Sequence, residues 1–399
     1  MLLSSPEIQE EWGQANMMTA EENERFTRVG PGTPMGNLLR RYWWPIEFKQ
    51  SVTTKPIQVR LLGEDLVLFR QADGRYGALD RRCPHRGAGL ELGRVEADGI
   101  RCCYHGWKFS CEGRCVDMPA EPAGTPLLDE VRQTAYQAQE LGGLIFVYMG
   151  PDPAPLLPRY DVMVRDDCSR LLRAGIDHCN WLQRIENGHD PAHLGILHAA
   201  GYPQIAMTTP KVTRQPTWYG IRTSTQFPND LEKVGHQIFP SHTRRTGARI
   251  GDPPRHYIHY RVPIDDTHMV TFGIQVEIVG KGQGKEIFKG WRNTQRGVYE
   301  HVEDGWWNLI NSDQDRAAQE SQGLIFDRTR EYLATSDAWI VQFRKMLLDQ
   351  MKAVEEGRDP LGVIRDPAQN QCIYFDAMMN FADGKNSAPA MISAQVPAE

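Results

Sequence analysis

The chain of 399 residues has no run of eighteen apolar residues and no charged-then-apolar opening segment, so neither a spanning helix nor a secretion signal is expected. An excess of one charge is also missing. Lys and Arg number 45 against 51 Asp and Glu, a net charge of −6, which gives no broad basic surface for nucleic acid or an anionic membrane. The eight cysteines do not form the spacing pattern of a small disulfide framework. Free thiols in a chain of this size fit a reducing cytoplasm. There is no internal repeat, no low-complexity tract and no Gly-x-Gly-x-x-Gly fingerprint opening a βαβ unit, which argues against a dinucleotide site of that design. The opening residues are polar and mixed and are expected to pack little. The pair Met17-Met18 offers an internal start as an alternative to Met1.

What is present divides the chain. Gln58 to Leu62 and Leu66 to Phe69 read as strands broken by Gly63-Glu64-Asp65, and Asp73-Gly74 marks a hairpin turn into Tyr76 to Leu79. Leu144 to Tyr148 is a further strand. Gly150-Pro151-Asp152-Pro153-Ala154-Pro155, the most proline-dense stretch, then makes a natural boundary. Beyond it, Val270 to Ile274 suggests a second sheet. Ser336 to Glu356 is the strongest helix, capped by Ser336 or Asp337, with Ile340, Phe343, Leu347 and Met351 on one face. The division expected is a segment 1–40, an all-β domain 41–152, a larger α+β domain 153–385 and a tail 386–399.

Two short pairs carry the chemistry of the first domain. Cys83-Pro84-His85 and Cys102-Cys103-Tyr104-His105 stand sixteen residues apart, and each offers one sulfur and one nitrogen. That is the ligand set of a Rieske [2Fe–2S] cluster, in which two thiolates hold one iron and two imidazoles the other. A structural zinc site is the alternative, but zinc motifs group Cys with Cys and His with His. Gly87, Gly89 and Gly106 allow the tight turns. The Cys-x-x-His spacing uses Cys102 and leaves Cys103 a spectator. The stretch CPHRGAGLELGRVEADGIRCCYHGWKF resembles the Rieske domain of ring-hydroxylating oxygenases. Respiratory Rieske proteins carry an extra disulfide, with a Cys just after the first loop's glycine, where this chain has Ala88.

The second constellation runs from Glu186 to His198, with His189, Asp190, His193 and His198 inside thirteen residues. It resembles the Asp-x-x-His-x₄-His motif of the oxygenases' catalytic domain, where two His and a distant carboxylate bind mononuclear iron. Such a facial triad leaves positions open for O₂ chemistry. Mapped onto that motif, Asp190 takes the Asp position, and His193 and His198 the ligand positions. Glu186 stands where the family often has Asn. Helical geometry offers a rival pair, His189 with His193, which are four apart. Asp190 as cap and Pro191 in the first turn predict a helix starting there, which leaves His189 outside. The five-residue step from His193 to His198 then requires a distortion such as a π-bulge.

The carboxylate has to come from far along the chain. Asn311 to Gly323 read alone is a solvated helix start, but it resembles the phthalate-dioxygenase branch, whose iron-binding Asp lies in a similar Gln-Asp followed by Glu-Ser. That alignment selects Asp315, with Asp313 next.

The resemblance runs from Pro31-Gly32-Thr33-Pro34 to the C-terminal helix. It implies the α subunit of a Rieske non-haem iron oxygenase, with an all-β cluster domain and an α+β, helix-grip-like catalytic domain built on an antiparallel sheet. It also implies mononuclear Fe(II), electrons from a separate NAD(P)H-dependent flavin and iron–sulfur reductase, and a ring of identical subunits, trimer or hexamer. In that ring Asp190 links one subunit's cluster His to its neighbour's iron His. Branch members attack aryl carboxylates, sulfonates and ethers by dihydroxylation, angular attack or demethylation. A carboxylate substrate wants an arginine fork. Arg222 in a strand-like segment is the candidate, with Arg244, Arg245 and Arg249 in a loop over the pocket. An O-demethylating monooxygenase is the alternative. A pure Rieske electron carrier leaves the chain beyond the cluster domain unexplained.

Overall fold

The structure, a computed structural model, describes residues 18–228, 232–247, 255–292, 305–306, 309, 311–376 and 378–380. The expected tail 386–399 and Arg249 lie outside them. Two short helices, α1 (Ala20–Thr27) and α2 (Pro34–Leu39), lead in. Thr19 caps α1, its side chain accepting from the Glu22 N–H while Glu22 reaches back to the Thr19 N–H.

A six-stranded sheet follows, in the order β1 (Trp43–Phe48), β10 (Leu144–Tyr148), β9 (Ala135–Leu141), β4 (Tyr76–Asp80), β3 (Glu64–Arg70) and β2 (Ile57–Leu61). The pairing of β1 with β10 closes this unit just before the proline-dense stretch. The β2–β3 turn falls one residue earlier than the sequence suggested. Leu62 and Gly63 have φ of 50° and 79°, the two positive values that a tight hairpin needs. A small sheet of β5 (Arg94–Glu96), β6 (Gly99–Arg101), β7 (Lys108–Phe109) and β8 (Cys115–Asp117) stands beside it, followed by the one-turn helix α3 (Leu127–Glu130).

After α4 (Asp161–Val164) comes the large sheet. Among the described residues its order is β12 (Lys211–Thr217), β13 (Gly220–Gln226), β14 (Glu232–Ile238), β15 (His242–Gly247), β16 (Arg255–Pro263), β17 (Met269–Ile278), β11 (Cys168–Asp177) and β18 (Glu286–Trp291), with β19 (Met378–Asn380) paired to β14. All of these pairs are antiparallel except β11 with β18. Helices α5 (Trp181–His189), α6 (His193–Ile196), α7 (Asn311–Glu320) and α8 (Ala338–Glu355) accompany the sheet. On α8 the expected stripe buries Phe343, Leu347 and Met351, worth roughly 1.5–3 kcal/mol each. Asp337 holds the N-cap position of α8, but its carboxylate accepts from the Ala334 N–H instead.

One continuous core joins the two large sheets, with Phe48 of β1 meeting Phe272 of β17 edge-on at 5.4 Å. A second core lies under the Cys-His loops and includes Cys83, Cys102, Trp107 and Phe109. No helix among the described residues is long and apolar enough to cross a membrane.

Candidate metal centres

The two Cys-His loops follow β4 and β6 and repeat one hydrogen-bond pattern. The Cys83 N–H donates to the Ala88 carbonyl at 2.8 Å and the Gly87 N–H to the Cys83 carbonyl at 2.8 Å. In the second loop the Cys102 N–H donates to Trp107 at 2.8 Å and the Gly106 N–H to Cys102 at 3.1 Å. Gly87 and Gly106 take φ of 73° and 78°, so both turns need glycine. The two sulfurs are buried and neighbour each other. Burial pushes the Cys83 thiol up to about 12, and Cys102 adds to the rise. Such a pair is deprotonated when a bound cation supplies the balancing charge. His85 stacks on Trp107 at 4.3 Å and meets His105 edge-on at 4.5 Å. The His85 Nδ1 is buried without a hydrogen-bond partner, and Cys103 is exposed. Two buried sulfurs and two adjacent imidazoles fit a [2Fe–2S] cluster.

The second centre lies where α5, α6 and α7 face the large sheet. Ligand atoms of His193, His198 and Asp315 all fall within 4.8 Å of one another. The Asp315 Oδ1 is 3.1 Å from the His198 Nε2 and 3.6 Å from the His193 Nε2. Burial pushes the Asp315 carboxyl up, but the hydrogen bond to His198 and the charge of Arg184 outweigh it and hold the group below the ordinary carboxylate range. Each imidazole is addressed from behind. The His198 Nδ1 is 2.8 Å from the Gln314 Oε1, and the Gln314 Nε2 donates to the Trp306 carbonyl at 3.4 Å. The Gln314 amide is thereby oriented to accept a hydrogen bond from the His198 Nδ1, the tautomer that would leave Nε2 to bind a metal. The His193 Nδ1 is buried, with the Asp190 Oδ2 at 3.6 Å, longer than a hydrogen bond. Two imidazoles and a carboxylate converging on one point suit non-haem iron.

The chain between the two His differs from the expected helix. Helix α5 ends at His189, and Asp190 is extended, its Oδ1 accepting from the Ala192 N–H at 2.7 Å. Only one helical turn, α6, follows before the chain turns again with Gly201 bonded to His198. The five-residue step is therefore made by ending the helix, and no π-bulge is present there. His189 points elsewhere, stacked on Phe343 at 4.2 Å. Glu186 lies on the back of α5, buried between Arg328 and Arg344 at 2.7 Å each. It anchors the helix that leads to the site. Glu186→Ala should leave two buried arginines without their shared partner and cost about 3–5 kcal/mol in a urea titration. An unchanged midpoint would show that this clamp contributes nothing. Besides Gln314, a second amide in reach of the triad is Asn187, which donates to the Asp315 Oδ1 at 3.4 Å.

A cavity of about 270 Å³ opens beside the triad. Strands of the large sheet line it, mostly through alternate residues such as Thr223 and Thr225, Lys233 and Gly235, His259 and Arg261, and Thr271 and Gly273, while Ala174, His236 and Arg244 of the opposite parity also border it. Arg222 has the opposite parity and is not brought to the cavity; it pairs with Asp376 at 2.7 Å. Arg244 and Arg245, expected in a covering loop, lie on β15 and border the cavity, and Arg244 pairs with Asp161, both side chains fully buried. Asp313 is engaged by Arg292 at 3.1 Å and Arg316 at 3.6 Å rather than by the histidines. On the cavity wall Arg173, Lys233, Arg245 and Arg261 have no carboxylate partner among the described residues. Burial, with Arg184 and Arg245 adding, pulls Arg261 down to about 9. Burial and Arg245 pull Lys233 down to about 8. Reading the sequence missed Arg173, Lys233 and Arg261. The available signal was a basic residue at inward-facing positions of otherwise apolar or small-residue strands.

Residues 42–136 match the family model described as the Rieske [2Fe-2S] domain, and residues 285–387 the one described as LigXa C-terminal domain like. Over 387 residues the chain is 38% identical to the 5,5'-dehydrodivanillate O-demethylase oxygenase subunit of Sphingobium sp. (strain NBRC 103272 / SYK-6), covering 91% of this chain and 88% of that one. The chain belongs to the Rieske non-haem iron oxygenases. It is 30% identical to the phthalate 4,5-dioxygenase oxygenase subunit of Pseudomonas putida, over 91% of this chain and 93% of that one. The terminal oxygenase of carbazole 1,9a-dioxygenase from Nocardioides aromaticivorans IC177 shares the fold, with a TM-score of 0.63 at 18% identity over 84% of this chain and 97% of that one. As a Rieske oxygenase the protein is an oxidoreductase whose cofactors are a [2Fe–2S] cluster and a mononuclear iron.

Proposed function

We propose that this Rieske oxygenase is the terminal component that uses O₂ and electrons from a separate NAD(P)H-dependent reductase to oxygenate an aromatic carboxylate. The observation carrying this reading is the set of unpaired cations on the wall of the cavity beside His193, His198 and Asp315. In this reading Cys83, His85, Cys102 and His105 hold the cluster within a domain of residues 41–152, and the triad holds iron within a domain of residues 153–385. When bound, that iron supplies the open coordination positions at which O₂ reacts. Gln314 and Asp190 fix the imidazoles, Asn187 and Arg184 steady Asp315, and the cavity's cations orient the substrate carboxylate through charge-assisted hydrogen bonds. Asp190 is partly exposed, so its carboxylate is free to face a cluster His of a neighbouring copy in a homotrimer or hexamer. The setting is the cytoplasm.

The relative at 38% identity favours a second reading of the same site, O-demethylation of a methoxylated aryl carboxylate. In ring attack both atoms of O₂ enter the arene with two electrons and two protons. In demethylation one atom enters the methyl group, which leaves as formaldehyde, and the other leaves as water. Turnover of aryl acids under ¹⁸O₂, with formaldehyde assayed in parallel, separates the two. Acids should be oxidised roughly tenfold or more faster than ring-matched neutral arenes, since a charge-assisted bond is worth about 1.5–3 kcal/mol. Preference for neutral arenes would contradict the proposal.

A further inference from the structure

We propose that Arg214 is a positioning residue for electron delivery: by capping the C-terminal end of α5 it fixes Asp190 between a cluster His of a neighbouring copy and the iron ligand His193. This rests on the linking role proposed for Asp190 and carries it back to the residue that holds Asp190 in place. The step concerned moves one electron from the reduced cluster to the iron, and no bond is made or broken.

The last carbonyls of a helix have no partner within it, and that end of the helix dipole favours a cation. On α5 the large sheet supplies both needs. The Gly188 carbonyl accepts from the Gln237 Nε2 of β14 at 2.5 Å, and the His189 carbonyl accepts from the Arg214 Nη2 of β12. Helix α8 supports the same pair. Trp339 and Phe343, four apart and so on one face, take one partner each. The Arg214 guanidinium carbon lies 4.4 Å from the Trp339 ring centre, and the His189 ring stacks on Phe343 at 4.2 Å. His189 is thus held by its ring and by its carbonyl, and the next residue is Asp190.

A neutral donor is enough to cap a carbonyl there, as Gln237 does for Gly188. Arg214 brings a charge as well, although burial pulls it down to about 9. Its Nε and Nη1 are buried without a hydrogen-bond partner among the described residues. The charge that acts against the fall is Asp190. A costly cation is therefore kept beside the carboxylate that stands behind His193. Asp190 itself is extended beyond the helix, its backbone N–H bonded to the Asn187 carbonyl at 3.2 Å. Any shift of the helix end moves its carboxylate, and a misplacement of about 1 Å near a reacting centre can cost roughly a hundredfold.

The test follows cluster oxidation when the fully reduced, iron-loaded protein is mixed anaerobically with hydrogen peroxide, which oxidises the triad's iron and so draws an electron from the cluster. Iron-depleted protein gives the background. Arg214→Met should slow the iron-dependent rate roughly tenfold or more, with iron content and the Rieske spectrum unchanged. Arg214→Lys keeps a donor and the charge and should recover part of the loss. Adding Arg214→Met to Asp190→Asn should slow the step no further, because both act on one path. Should Arg214→Met not fold, Trp339→Leu decides: the same step slows with iron retained, or the inference falls. Arg214→Met at the wild-type rate while Asp190→Asn is slow, or loss of iron from Arg214→Met, overturns the inference and leaves the linking role standing. Asp190→Asn at the wild-type rate, or no iron-dependent rate in the wild type, overturns both.

Discussion

His193→Ala, His198→Ala and Asp315→Ala should each abolish oxygenation and lower mononuclear iron while leaving the Rieske spectrum intact. The loss should exceed roughly a hundredfold, because removing a partner behind a ligand already costs about 10–100-fold and here the ligand itself is removed. The separation of effects follows from the fold. The triad sits on α6 and α7 and in the turn after α6, whereas the Cys-His loops belong to a different sheet and a different core. Asp313→Ala is the control: its carboxylate meets Arg292 and Arg316, so iron should stay. If Asp315→Ala keeps iron and turnover while Asp313→Ala loses both, the carboxylate has been misassigned.

Asp190→Asn should be nearly as damaging by another route. Both metal centres should remain occupied, because Asp190 lies behind His193 and not on the metal. In the proposed role Asp190 links His193 to a cluster His of a neighbouring copy; the amide keeps one carbonyl acceptor but loses the charge and the second carboxylate oxygen, so it should fail to serve both imidazoles while also holding the Ala192 N–H. Turnover should fall roughly 10–100-fold, and a pre-reduced cluster should reoxidise slowly once substrate and O₂ are added. Reoxidation at the wild-type rate would mean that electrons take another path.

Much of this was legible in the sequence because the chemistry is local. Cys83-Pro84-His85 and Cys102 to His105 announce themselves by residue type, and His193 and His198 by spacing. Asp315 was reachable only through resemblance, since nothing local distinguishes it from Asp313. What separates them is the turn of α7 that faces the histidines. The tighter β2–β3 turn was hidden because it uses a non-glycine residue, Leu62, at positive φ. Which arginines reach the cavity was hidden by strand parity and by sheet order. In a strand, a shift of one residue reverses the face. Arg222 is one position from Thr223, which lines the cavity, so it points to Asp376 instead. Arg173, Lys233 and Arg261 come from three strands that only the sheet order brings together. Glu186, standing where the family often has Asn, gets its role only from Arg328 and Arg344, which converge on it from more than a hundred residues away.

In the proposed function, electrons stored in the cluster and the triad's iron are spent on an aromatic acid bound in the cationic cavity. A single-turnover experiment tests this directly: the fully reduced protein, freed of reductase, is mixed with each of a panel of aryl carboxylates and ¹⁸O₂. Labelled product, or formaldehyde from a methoxylated acid, should appear in step with cluster oxidation, and neither should appear with His193→Ala. Cluster oxidation with no oxygenated product from any aryl acid, or labelled product from the His193→Ala protein, would contradict it.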